Sequence, residues 1–195
     1  QPITIYPLPV PDFTFVNQCH GTAIPFTDAS TVAAPQNIVS WGWDFNADLA
    51  PDALTQNTSF TFAAPGNYSV GLGLMTDQGC MNGVLHQITV FANPVSDFTA
   101  TSVCEGLITT FTDASTGTPT NWVWDFGDGT PTDNTQIPTH TYATQGSYSV
   151  NLTVTTADGC QHDTTKTVTV YPLPTAAFTF TGACETLPVT FTDNS

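Results

Sequence analysis

From Gly146 to Val154 apolar and polar residues alternate. Tyr148, Val150, Leu152 and Val154 fall on one side, and Ser147, Ser149, Asn151 and Thr153 on the other. A period of two predicts a β-strand with one apolar and one wetted face. Tyr68, Val70, Leu72 and Leu74 repeat the pattern earlier in the chain, and Trp41, Trp43 and Phe45 share a face, as do Trp122, Trp124 and Phe126. Such short runs, separated by Gly, Pro, Asn and Asp, predict about seven strands in each stretch of about 80 residues. With aromatic layers turned inward, the expected arrangement is two packed antiparallel sheets.

The pattern is written twice. Phe26 to Ser30 returns as Phe111 to Ser115 and, with one change, as Phe191 to Ser195. Trp41-Gly42-Trp43-Asp44-Phe45 matches Trp122-Val123-Trp124-Asp125-Phe126, and Gly79-Cys80 matches Gly159-Cys160. These offsets divide the chain into a repeat over 7–92, a second over 93–172, and the start of a further, truncated repeat over 173–195. Residues 1–6 resemble Gln87 to Phe91 and Thr167 to Tyr171, so they are expected to be the last strand of a preceding repeat. The chain reads as a window on a longer tandem array, and since it opens at Gln1 with no charged-then-apolar leader, any signal peptide is expected to have gone already. Donor-strand assembly is the rival reading.

Composition narrows the functions. Sixteen acidic residues against one Lys and no Arg give a net charge of −15. That excludes nucleic acid as a partner, since counterion release needs a basic footprint. It also excludes polybasic docking to membranes, and no apolar run is long enough to span one. Thr supplies 37 of 195 residues, a β-branched composition that suits the wet faces of sheets.

Trp124-Asp125-Phe126-Gly127-Asp128-Gly129, then His140-Thr141-Tyr142, then Gly146 to Val154 resemble the PKD (polycystic kidney disease) domain, an immunoglobulin-like β-sandwich of extracellular proteins. The resemblance covers the whole second repeat. It implies an all-β fold of tandem immunoglobulin-like sandwiches arranged as a rod, and an extracellular or cell-surface location. The first repeat departs from it: Asn46-Ala47-Asp48 replaces the Gly-Asp-Gly turn and Phe60-Thr61-Phe62 the His-Thr-Tyr strand. Arrays with a Cys before Phe-Thr-Asp and a Gly-Cys before the last strand are also similar to repeats of large secreted Bacteroidota surface proteins, including gliding-motility adhesins.

The motif residues Trp43, Asp44, Trp124, Asp125, Asp128, Gly129, His140 and Tyr142 read as structural. Asp128-Gly129 favours a tight turn that needs positive φ. Asp125 is placed to accept backbone N–H bonds from that turn, and His140 to pack within the core. The competing reading is a Ca²⁺ site at Asp125, Asp128 and Asp133, although no EF-hand spacing is present. No other cofactor is expected. Asp28, Asp113 and Asp193 follow Phe-Thr, where a strand meets its turn, and should satisfy turn amides.

Cys19 is equivalent to Cys104, and Cys80 to Cys160. Pairing within repeats predicts Cys19–Cys80 and Cys104–Cys160, with Cys184 bonded to a cysteine beyond the chain. Cys19-His20 and Cys160-Gln161-His162 do not recur at equivalent places, which argues against zinc. No nucleophile elbow, zinc-protease motif or phosphate loop occurs, so no catalysis is expected. Asp163-Thr164-Thr165 resembles a short O-glycosylation signal, which makes Thr164 a candidate for modification.

Pro172 and Pro174, like Pro7, Pro9 and Pro11, place stiff connectors between repeats. The expected function is a structural or adhesive stalk segment of a long repetitive surface protein or filament. The alternative is a spacer or carbohydrate-binding accessory module of a secreted hydrolase. Expected partners are neighbouring repeats, other copies in a filament, and a carbohydrate or surface ligand.

Overall fold

The computed structural model describes residues 4–182, 184–186 and 188–195, and every element in it is a strand. The first repeat forms β1 (Phe13–Thr14), β2 (Gln18–Cys19), β3 (Ile24–Asp28), β4 (Ile38–Asp44), β5 (Thr58–Phe60), β6 (Gly66–Thr76) and β7 (Met81–Phe91). The second forms β8 (Phe98–Ala100), β9 (Ile108–Asp113), β10 (Pro119–Asp125), β11 (Thr139–Thr141), β12 (Gly146–Thr156) and β13 (Gln161–Val170). A last hairpin pairs β14 (Phe178–Thr181) with β15 (Thr190–Asp193).

In the first repeat the sheet β1-β3-β5 shares one core with the sheet β2-β7-β6-β4. In the second, β11-β9-β8 shares a core with β10-β12-β13. The pairings with a defined register are antiparallel with one exception: β2 runs parallel to β7, with Cys19 beside Phe91. The period of two is realised most fully in β12, which buries Val150, Leu152 and Val154 and leaves the alternate positions wetter.

Aromatic rings fill both cores at matched positions. Phe13 meets Trp43 edge-on at 5.1 Å, and Phe98 meets Trp124 at the same distance and the same 74° tilt. Edge-to-face contacts of this kind add about 1 kcal/mol each beyond area burial. Trp43 and Trp124 are fully buried.

The last hairpin repeats the register of β8 and β9: Phe178 lies opposite Asp193 as Phe98 lies opposite Asp113. Its rings are uncovered. Phe178 and Phe191 are 65% and 66% exposed, whereas Phe98 and Phe111 are 1% and 0%. No tryptophan strand among the described residues packs on them.

Of the strand expected over 1–6, residues 1–3 lie outside the described residues, and residues 4–6 are not in a strand.

One expectation, the disulfide pairing, needs correction. Cys19 is bonded to Cys160, with Cα atoms 5.6 Å apart, while Cys80, Cys104 and Cys184 are free thiols. The pairs Cys19–Cys80 and Cys104–Cys160 do not form. Strand direction explains why. Cys19 sits beside Phe91 at the far end of β7, whereas Cys80 precedes Met81 at its start. The intervening strand spans roughly 33 Å, and a disulfide needs Cα atoms within about 7 Å. Cys104 likewise bridges Tyr171, beyond the end of β13, while Cys160 precedes its start. By density of contacts the chain forms two compact units, Gln1–Pro94 with Thr155–Gln161, and Val95–Val154 with His162–Ser195, so the Cys19–Cys160 bond lies inside the first.

Candidate functional site

The residues with the most chemical potential gather at the turn after β10. Asp125 Oδ1 accepts the Gly127 N–H at 2.9 Å. Asp128 accepts from the Thr130 N–H at 3.1 Å and from His140 Nε2 at 2.7 Å. Asp133 accepts from the N–H and hydroxyl of Thr135, both at 2.7 Å. Each carboxylate therefore serves its own turn or a neighbouring strand. Among the described residues no group of three or more His, Cys, Asp or Glu is placed to hold a metal ion.

Glycines set the path of this turn. Gly127 has φ +74, and a Cβ there would lie 2.4 Å from the Ser149 carbonyl oxygen of β12. Gly129 has φ +82 with open space around it. In the first repeat Asp44 accepts the N–H groups of Asn46, Ala47 and Leu49, and the positive φ falls on Ala47 and Leu49. The divergent sequence thus builds a different loop from the same aspartate.

His140 stacks on Phe126 at 4.1 Å and 4°, and Phe60 stacks on Phe45 at 4.4 Å and 11°. The ring contact is kept in both repeats, whereas the bond to Asp128 belongs to the second. Tyr142 is buried and donates its hydroxyl to the Phe126 carbonyl at 3.1 Å. Burial, then the charge of Asp128, raises its phenol above the ordinary tyrosine range.

A second constellation escapes the motif reading. Trp41 and Trp122 are only half-buried, and each donates its indole N–H at 2.8 Å, to Asp28 and Asp113 respectively. The same two carboxylates accept the N–H of Ser30 and Ser115 and the side-chain amides of Gln56 and Gln136. Burial pushes both carboxyls up, but these hydrogen bonds outweigh it and hold them below the usual aspartate value. The recurrence of Phe-Thr-Asp and Trp-x-Trp at matched places was the available signal. Asp193 accepts the Ser195 N–H in the same manner.

Thr164 donates its hydroxyl to the Ser96 carbonyl at 2.9 Å and is half-buried, so a glycan there has to displace that bond. Lys166, the one cationic side chain besides histidine, pairs with Asp97 and lies 5.3 Å over the Phe98 ring. His86 takes that place in the first repeat, 3.4 Å from Asp12 and stacked on Phe13.

The outer face of β4, β6 and β7 carries an open trough of about 810 Å³, floored by Gly42, Gly71 and Gly73 and walled by Met75, Met81 and Leu85. In the second repeat, alignment of the two copies puts Asn151, Thr153 and Thr165 at the places of Gly71, Gly73 and Leu85. Side chains thus stand in the second repeat where glycines floor the trough in the first.

Residues 7–90 and 91–171 each match the PKD domain. The chain belongs to the PKD domain family. A microbial collagenase from Vibrio alginolyticus is 41% identical over 66 residues, 34% of this chain; the chain spans only 7% of that relative's length. Two solved PKD domains are also similar. One is the PKD1 domain of the Vibrio cholerae metalloprotease PrtV, 35% identical, covering 40% of this chain and 98% of its own, with a TM-score of 0.37. The other is the PKD1 domain of Vibrio anguillarum Epp, 31% identical, covering 42% of this chain and 96% of its own, with a TM-score of 0.38. No helix among the described residues is long and apolar enough to cross a membrane.

Proposed function

We propose that this PKD pair is a non-catalytic spacer, a stalk segment of a long repetitive extracellular surface protein. The observation that carries the reading is the commitment of the motif carboxylates. Asp125, Asp128, Asp133, Asp28 and Asp113 are all engaged by their own turns or by indole and imidazole N–H groups. A general acid or base needs a proton it can exchange with a substrate, and these groups spend their lone pairs on holding loops. A disulfide between cysteines is at home in an oxidising compartment, which supports an extracellular location.

A second reading, a spacer within a secreted protease, is favoured by the collagenase and metalloprotease relatives. A carbohydrate-binding role draws less support. The trough in the first repeat is lined mainly by Met, Leu and Gly, with Ser40, Asp44 and Asn82 as its polar side chains and Trp41 as its aromatic one. Trp41 and Asp44 are already engaged, by Asp28 and by turn amides respectively.

Retention assays test the proposal. The immobilised chain is challenged with insoluble polysaccharides, fibrillar collagen and intact cells, beside an unrelated acidic β-sandwich. A spacer gives no retention above that control and releases no product. Saturable retention on any of these surfaces replaces the spacer with a binding role. Protease-coding sequence beside these repeats, in place of further repeats, decides for the second reading.

A further inference from the structure

We infer that the early cysteine of each repeat bonds the turn cysteine of the repeat that follows it, so that tandem copies are laced by overlapping disulfides. The bond between Cys19 and Cys160 is one such rung. A second, independent observation is that its setting is duplicated at the unbonded counterparts. Cys19 lies in parallel register beside Phe91, and Cys104 makes the same parallel bridge to Tyr171. The Cys160 N–H donates to the Thr156 hydroxyl at 3.2 Å, and the Cys80 N–H to the Thr76 hydroxyl at 3.1 Å. Cys104 therefore presents what Cys19 presents, and Cys80 what Cys160 presents.

One rule then accounts for every free thiol. Cys104 and Cys184 take turn cysteines of following copies, and Cys80 takes the early cysteine of a preceding one. Each rung forms from two thiols, which lose two protons and pass two electrons to a protein or small-molecule disulfide by thiol–disulfide exchange. That partner is reduced to a dithiol, and one S–S bond is gained for the one consumed.

Such lacing has a mechanical consequence that deepens the spacer reading, although it stands or falls on the bonds alone. Tension entering at Cys19 crosses directly to Cys160 and bypasses a sequence separation of 141 residues. Because Cys104 lies before Cys160, successive loops overlap, and every peptide bond in the interior of a laced array is bridged by at least one disulfide. Unfolding a repeat under load then cannot pay out its full length.

The test extends the chain beyond Ser195 with a second copy of residues 116–172, which completes the third repeat and supplies it with a turn cysteine. After oxidative refolding, thiols are alkylated and disulfides mapped by non-reducing peptide mass spectrometry. The expected result is Cys19–Cys160, Cys104 bonded to the added turn cysteine, and alkylated Cys80 and Cys184. Cys104 found bonded to Cys160, or free in a chain whose third repeat is folded, overturns the inference. Should the added segment not fold, Cys160→Ser in the 195-residue chain decides. A Cys19 that becomes alkylatable supports lacing, and a recovered Cys19–Cys80 bond refutes it. Pulled from its ends, the 195-residue chain should gain roughly 500 Å of contour length on reduction; no gain also refutes the rung.

Discussion

The indole N–H of Trp122 donates to Asp113 Oδ2 at 2.8 Å, tying the strand that carries the core tryptophan to the end of the facing sheet. Trp41 and Asp28 make the same bond at the same length in the first repeat. A carboxylate that also accepts the Ser115 N–H and the Gln136 amide fixes three pieces of chain at once. Bonds to charged acceptors contribute about 2 kcal/mol each when their removal strands the donors. Asp113→Ala should therefore destabilise the second repeat by about 2–3 kcal/mol, read as a fall in the denaturant midpoint followed by tryptophan fluorescence. A loss below 0.5 kcal/mol on the same measurement, within the range typical of surface sites, would show the network to be ornamental.

The same network fixes the acid limb of stability. Asp28 and Asp113 are pushed up by burial but held below their ordinary value by hydrogen bonds, and Asp128 follows the same balance. A carboxyl whose folded pKa is depressed contributes stability that is fully present above its unfolded value of about 3.9. That contribution is lost as pH falls through the folded value. Unfolding midpoints should be nearly flat from neutral pH to about 5 and should drop steeply below about 4. Asp113→Asn should flatten that drop, and an unchanged acid limb in the variant would contradict the assignment.

Calcium should matter little. Asp125, Asp128 and Asp133 each bond groups of their own turns or His140, so a hard cation has to displace those partners before it gains ligands. Melting temperatures in 5 mM Ca²⁺ and in chelator are expected to agree within about 2 °C, since a bound ion stabilises in proportion to RT ln(1 + [L]/Kd). A fall of many degrees in chelator would mean that these carboxylates form a cation site in solution.

Much of the fold was legible because period-two alternation and matched aromatic positions act locally. Val150, Leu152 and Val154 announce a buried strand face, and Trp43 and Trp124 announce the core. The indole–aspartate ties could have been read from the joint recurrence of Phe-Thr-Asp and Trp-x-Trp, but not their geometry, which depends on how two sheets face each other. The disulfide was misread for a non-local reason. Counting cysteines by repeat ignores which end of the last strand each one occupies, and strand direction puts Cys19 and Cys80 at opposite ends of β7. The trough was missed because a period-two pattern counts Gly71 and Gly73 only as wetted strand positions, whereas their lack of side chains opens a surface.

Two glycines in one turn should respond differently to the same substitution. At Gly127 both backbone conformation and space are restricted: φ is +74, and an added methyl carbon meets the Ser149 carbonyl oxygen at 2.4 Å. That oxygen belongs to β12, whose side chains Val150 and Leu152 are locked in the core, so the strand cannot retreat cheaply. Left-handed backbone alone costs an alanine about 1–2 kcal/mol, and forced overpacking adds about 1–3 kcal/mol. Gly127→Ala is therefore expected to lose about 3 kcal/mol or more. Gly129, at φ +82 with nothing within 4 Å of its added carbon, should lose only the conformational part, about 1–2 kcal/mol. Denaturant titration of the two variants beside the parent chain measures the difference directly. Equal losses would mean that the close approach of Gly127 to β12 is relieved in solution and that φ alone dictates glycine at both positions.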